Sequence, residues 1–146
     1  MDAPELTNFG SLVRFALQLE AATAAFYREA AELLGPGAAA DTARRLAEEH
    51  EARRVLVERT RQQKLNEMVL EPISGLDGSR YVFDASVASV AEIRAKAVAL
   101  EGVASRLYGE SSVVAKSLLT EAARTFRKLG DQNAENLARA REVFPA

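Results

Sequence analysis

The chain has 146 residues, 48% hydrophobic and 27% charged, with a net charge of −2; this suits one globular domain able to bury its own core and excludes a disordered chain. The charge offers no electrostatic ground for binding nucleic acid or a membrane surface, and the lack of cysteine excludes disulfides, thiolate catalysis and cysteine-bound metals. The start "MDAPELTNFG" is acidic, without the apolar segment of a secretory signal, and no apolar run approaches the roughly 18 residues of a membrane span, so a cytoplasmic, single-domain protein over residues 1–146 is expected.

Alanine, leucine, glutamate and arginine dominate and alternating strand patterns are nearly absent, which predicts an all-α protein. The first helix runs from about Ser11 to Leu34 and stops at the breaker "GPG", Gly35 to Gly37. The second runs from about Ala39 to Met68. The stretch "EPISGLDGSRYVFD" lies within a connection over residues 69–88. The third helix starts at "SVAE", where Ser89 and Glu92 have capping-box spacing, and fades between Ser111 and Lys116. The fourth occupies about Leu118 to Val143, before Pro145. Short turns make each consecutive pair an antiparallel hairpin, residues 11–68 and 89–144. The long connection can run back along a bundle roughly 35 Å long, at about 1.5 Å per helical residue.

One phrase occurs twice. "LEAATAAFYRE" from Leu19 and "LEGVASRLYGE" from Leu100 place Glu20 on Glu101, Tyr27 on Tyr108 and Glu29 on Glu110 at an offset of 81. "RRLAEEHE" from Arg44 is similar to "RKLGDQNA" from Arg127 at an offset of 83. The chain reads as one helical hairpin written twice, an internal repeat that predicts a pseudo-twofold bundle with matching residues facing across the axis.

Inward faces follow alternating steps of three and four. The first helix gives Val13, Ala16, Glu20, Thr23, Tyr27, Ala30 and Leu34; the second gives Ala43, Leu46, His50, Arg53, Val57 and Thr60. The third gives Val90, Arg94, Ala97, Glu101, Ala104, Tyr108 and Ser111; the fourth gives Phe126, Leu129, Asn133, Asn136, Ala140 and Val143. Together they predict a polar core layer of Glu20, His50, Arg53, Glu101, Asn133 and Asn136. Buried carboxylates require pairing or a metal ion, so something must satisfy this layer.

The glutamate followed seven residues on by tyrosine, in "EAATAAFY" and "EGVASRLY", together with "RRLAEEHEARR", resembles the ferritin-like superfamily, and within it the rubrerythrin-like members. The resemblance spans roughly residues 11 to 144. It implies a ferritin-like up-down four-helix bundle of two hairpins joined by a long crossover. It also implies a dimetal-carboxylate site with one glutamate from each of helices one and three and a Glu-x-x-His motif from each of helices two and four, holding iron or manganese. Glu20 and Glu101 match the first pair. At the other positions stand His50 and Arg53 on helix two and Asn133 and Asn136 on helix four, so the metal site reads as degenerate.

The expectation is therefore a non-enzymatic binding or interaction protein with no metal cofactor, a protein partner that the sequence does not name, and a possible homodimer through Leu17, Val55 and Leu56. Arg53 is expected between Glu20 and Glu101, forking hydrogen bonds to both in place of the lost cations. His50 is expected to be protonated, its pKa raised by the carboxylates, with Asn133 and Asn136 meeting the remaining hydrogen-bonding groups. The alternative is an iron- or manganese-dependent redox protein with a mononuclear site at Glu20, His50 and Glu101; Glu49 through a register slip, or Asp131, could add to it. Tyr27 and Tyr108 are read as hydrogen-bond donors to the glutamates. The "EEHE" run is read as a solvated face; the stretch from Arg53 to Lys64, basic on one side but with a glutamate within it and no interleaved aromatics, is not read as a nucleic-acid stripe; and the six phenylalanines are read as core and end packing.

Overall fold

Asn8 starts the first helix. Its side-chain oxygen accepts the Ser11 N–H at 2.8 Å, while the Asn8 N–H donates to the Ser11 hydroxyl at 3.2 Å. This reciprocal cap satisfies two donors that a helix start leaves open, and α1 runs over Phe9–Leu34. It ends at Gly35, whose φ of 70° is a conformation that side-chain-bearing residues rarely adopt. The computed structural model describes residues 1–64, 72–115 and 120–145, and the remaining helices are α2 (Ala38–Lys64), α3 (Val90–Ala115) and α4 (Thr120–Val143). The expected end of α2 at Met68, the first part of the crossover and the expected start of α4 at Leu118 lie outside the described residues. Glu92 caps the start of α3, but by accepting the Ala88 N–H at 2.8 Å, one residue before the Ser89 expected as its partner; its own N–H donates to the Ser89 carbonyl at 3.2 Å.

Among the described residues the protein is an all-helical four-helix bundle without strands. α1 packs along α2, and α3 along α4; α1–α3 and α2–α4 meet over shorter stretches. Tyr27 on α1 bonds to Glu101 on α3, and Tyr108 on α3 bonds to Glu20 on α1. Residue numbers therefore rise along one helix as they fall along the other, and α1 and α3 are antiparallel. Since α2 also runs against α1, the bundle path is up, down, down, up, the order a long crossover between hairpins produces.

The inward faces of α1, α2 and α4 are those the heptad steps predict, with only Leu34 and Val143, at the helix ends, half-buried. The first turns of α3 differ. Val90 is 38% exposed and Arg94 half-exposed, while Ile93 is fully buried. Stepping back from Ala97 by four residues rather than three keeps an apolar side chain inside; a straight helix drifts against a strict seven-residue count, and burial of the isoleucine decides the register. Five of the six phenylalanines are buried, and the sixth, Phe83 of the crossover, lies against Phe15 with ring centroids 5.9 Å apart. Leu17 packs half-buried against the core, whereas Val55 and Leu56 are exposed. No helix among the described residues is long and apolar enough to cross a membrane.

The N-terminal segment ties the crossover down. Asn8 and Pro72 form an antiparallel bridge, and the Ile73 N–H donates to the Thr7 carbonyl at 3.0 Å. A short 3-10 turn, Gly78–Tyr81, follows, capped by Asp77. A Cβ on Gly78 would stand 1.8 Å from the Pro4 carbonyl oxygen, a clash that only backbone movement relieves. Gly78→Ala is accordingly expected to destabilise the protein by roughly 1–3 kcal/mol, as overpacking does. In a chain lacking residues 1–5 the same substitution should be nearly neutral; a denaturant-melt double-mutant cycle measures the difference.

Candidate functional site

Glu20 and Glu101 sit midway along α1 and α3 and are fully buried. Small neighbours one turn away (Ala16 and Thr23, Ala97 and Ala104) leave room for their carboxylates at the axis. Each receives a phenol from the opposite helix, Tyr27 Oη to Glu101 Oε1 at 2.8 Å and Tyr108 Oη to Glu20 Oε1 at 2.7 Å. The two bonds exchange into one another under the 81-residue offset. Burial first, then the adjacent carboxylate, pushes both phenols well above the usual tyrosine range, so both donate. This is the role expected of them.

His50 of α2 lies between the carboxylates. Its Nδ1 is 2.6 Å from Glu20 Oε2 and its Nε2 is 2.6 Å from Glu101 Oε1, and the ring stacks against Tyr27 with centroids 5.6 Å apart. The result is a chain of hydrogen bonds through the core: Tyr27, Glu101, His50, Glu20, Tyr108. An ionised carboxylate only accepts, so both ring nitrogens must donate and the ring is an imidazolium. Burial by itself would lower the His50 pKa, but Glu101 and Glu20 outweigh it and raise it to about 9.

Arg53 does not take the place expected of it. One turn beyond His50, its side chain passes to α4. Nε donates to Gln132 Oε1 at 3.2 Å, and Asn136, with its amide oxygen facing the guanidinium, accepts from Nη1 at 3.0 Å and Nη2 at 2.8 Å. Its ion-pair partner within reach is Glu49, with Nη2 3.8 Å from Oε2. Geometry favours the ring for the central position: its two N–H groups point from opposite edges and span carboxylates arriving from two sides, whereas guanidinium donors fan out from one end. The layer thus still contains two carboxylates and two cations, but His50 rather than Arg53 stands between the carboxylates.

Asn136 meets the expectation by satisfying Arg53. Asn133 does not reach the glutamates; its Nδ2 donates to the Leu129 carbonyl one turn back at 2.6 Å, the local bond asparagine forms readily in helices. Its Oδ1 and Glu101 Oε2 stay buried without partners. Asp131 and Glu48 are exposed, and Glu49 faces the α2–α4 side rather than the axis. Arg54 pairs with Glu51 and Arg61 with Glu58, as solvated helix faces do. Gln132 went unpredicted: it stands one step off the inward face of α4, and only the reach of Arg53 recruits it.

Glu20, His50 and Glu101, the residues of the mononuclear reading, do come together, yet as arranged they do not fit a metal ion. Two ligand atoms each about 2.1 Å from one ion stand roughly 3 Å or more apart; the 2.6 Å contacts here are filled by protons, and an imidazolium has no free lone pair. Among the described residues no group of three or more His, Cys, Asp or Glu side chains is disposed to hold a metal. In comparisons with known proteins, the chain matches no family model, no curated protein and no solved structure.

Because His50 holds its proton more tightly when folded, its stabilisation is complete below about pH 6.5 and is lost as pH rises through about 9. The expected loss is on the order of 3 kcal/mol. Urea midpoints measured across this range should fall in the native protein and flatten in His50→Gln. Nitrogen NMR shifts should show both ring nitrogens protonated at pH 7.

Proposed function

We propose that this protein is a ferritin-like, rubrerythrin-like bundle whose metal centre has given way to a proton-bridged layer, and that it acts without catalysis as a binding or interaction protein. One observation carries the proposal: the His50 ring stands between Glu20 and Glu101, 2.6 Å from each. A cation-binding gap between two duplicated carboxylates is thereby closed by a side chain of the same chain. The second cation is Arg53, held by α4 at Asn136 and Gln132. The imidazolium, not the guanidinium expected from the sequence, bridges the carboxylates, and the charge balance is kept.

Support for the family comes from three directions. The Tyr–Glu bonds are reciprocal under the 81-residue offset, which suits a hairpin duplicated within one gene. The up, down, down, up path suits a bundle with one long crossover. The positions where the family pattern has Glu-x-x-His on helices two and four carry His50, Arg53, Asn133 and Asn136, and each of these residues has a contact that does not involve an ion. Binding rather than turnover follows because the layer is buried and its nucleophilic and basic groups are spent on one another. A protein partner, a second copy of the chain included, belongs to this reading.

Metal analysis tests it. Protein purified without chelators and incubated with ferrous or manganous ion under anaerobic conditions should retain no stoichiometric metal. The double variant His50→Glu with Arg53→His, which restores Glu-x-x-His on α2, should take metal up, with its folding checked by circular dichroism. Stoichiometric iron or manganese in the native protein, lost in Glu20→Ala, would establish the redox alternative instead.

A further inference from the structure

Along much of α2 opposite charges pair one turn apart: Arg44 with Asp41, Arg54 with Glu51 and Arg61 with Glu58. The outer face that α2 shares with α4 is arranged otherwise. The two helices run in opposite senses, Arg53 reaches Gln132 and Asn136, and Arg139 lies 3.7 Å from Glu49. To within about a residue, this sets Ala52 level with Glu135, Leu56 level with Asp131 and Arg59 level with Lys128.

One end of this face is therefore basic, with Arg59, Lys128 and Arg124, and the stretch from Asp131 onward is acidic, with Asp131, Glu135 and, across on α2, Glu48. All six side chains are exposed, and among the described residues none of them is in an ion pair. A single copy of the chain thus gathers like charges at each end of the face and leaves them unmet, which is mildly unfavourable. Between the two ends Ala52 and Leu56 are exposed, and both border the cleft of about 410 Å3 that separates the helices. A surface that is basic on one side of an apolar centre and acidic on the other is complementary to itself after half a turn.

We propose that this face binds a second copy of the chain, as an isologous dimer whose twofold axis passes through the cleft beside Leu56. The rotation lays α2 of each copy over α4 of the other, and the two Leu56 side chains meet over the cleft. Arg59 stands about 4.5 Å along α2 from the level of the axis. It is carried between the partner's Asp131, at that level, and the partner's Glu135, about 6 Å beyond it. Arg124, about 10 Å from the axis level, comes opposite the partner's Glu48, about 12 Å from it, with Lys128 alongside. The charges fix orientation more than affinity; burial of the leucines and closure of the cleft supply a modest attraction. Self-association rests on the interaction reading above and supplies its partner, leaving the Glu20–His50–Glu101 chain untouched.

Sedimentation velocity of the full-length protein over a concentration series tests it. The native protein should pass from monomer to dimer with a Kd in the micromolar range at low salt, and the dimer should weaken severalfold as salt rises to about 0.5 M. Arg59→Glu, and separately Asp131→Lys with Glu135→Lys, should each raise the Kd by about tenfold or more, because each sets like charges against one another in its own dimer. Mixing the two variants should restore a one-to-one dimer, since every contact in the mixed pair is again between opposite charges; a folding defect in either chain cannot produce that rescue. Leu56→Asp should also prevent association, by bringing two carboxylates together at the axis. The proposal is overturned if the native protein stays monomeric up to about 1 mM, which would leave this face to solvent or to a different protein. It is overturned equally if the dimer survives Arg59→Glu, or if the mixed variants fail to associate. Stoichiometric metal in the native protein would overturn the interaction reading without moving these association constants, so the two failures are told apart.

Discussion

Two carboxylates buried at the middle of a helical bundle govern this structure. Glu20 and Glu101 have no access to water, and in a low-dielectric interior each must find donors and countercharge or force the bundle apart. Much of the central layer answers that demand, although Glu101 Oε2 is left without a hydrogen-bond partner. Tyrosines cross from the facing helix, an imidazolium bridges the pair, and a guanidinium lies one turn beyond with its own set of amide oxygens. The small residues on either side of each glutamate make the space, and the apolar layers above and below exclude the solvent that would otherwise weaken these bonds.

The cost of such a layer is large, and what it supplies is register. Hydrogen bonds that link α1 to α3 in two places, and both to α2 at a third, permit one vertical alignment of the helices. Hydrophobic contacts alone tolerate sliding by a turn, because leucine packs against alanine nearly as well one step away. Buried polar groups as registry devices have precedent in coiled coils, and the Tyr–Glu pairs serve that purpose here. The aromatic stack formed by Phe9, Phe126 and Tyr108, with successive centroids 5.9 Å apart, then fills the space at one end of the layer.

Much of this was legible in the chain before any coordinates. The Gly35–Gly37 breaker, the inward faces of α1 and α2, and the six residues of the polar layer follow from spacing alone, because helix periodicity dictates which side chains share a face. Spacing does not say where a long side chain ends. His50 and Arg53 both point inward from α2, yet the short imidazole stays at the axis, while the arginine's stem carries its charge across to Gln132 and Asn136. Asn133 shows a second limit: a side chain able to bond its own helix leaves the layer's accounting without changing its place on the wheel. At the start of α3, three-and-four counting drifted by one residue, and the competition between Arg94 and Ile93 for the interior was settled by hydrophobicity.

The single ring at the centre makes the two halves of the molecule unequal. α1 and α3 offer identical pairs of acid and phenol, but only α2 brings an imidazole, and α4 carries asparagine at the matching position. Two copies of the first hairpin would bring two rings to the single gap between the acids; two copies of the second would bring none, leaving the acids with phenols but no cation between them. Neither hairpin can substitute for its sibling, so the halves are complementary rather than interchangeable, and covalent linkage of unlike partners guarantees the one-to-one pairing that free association of either would forfeit.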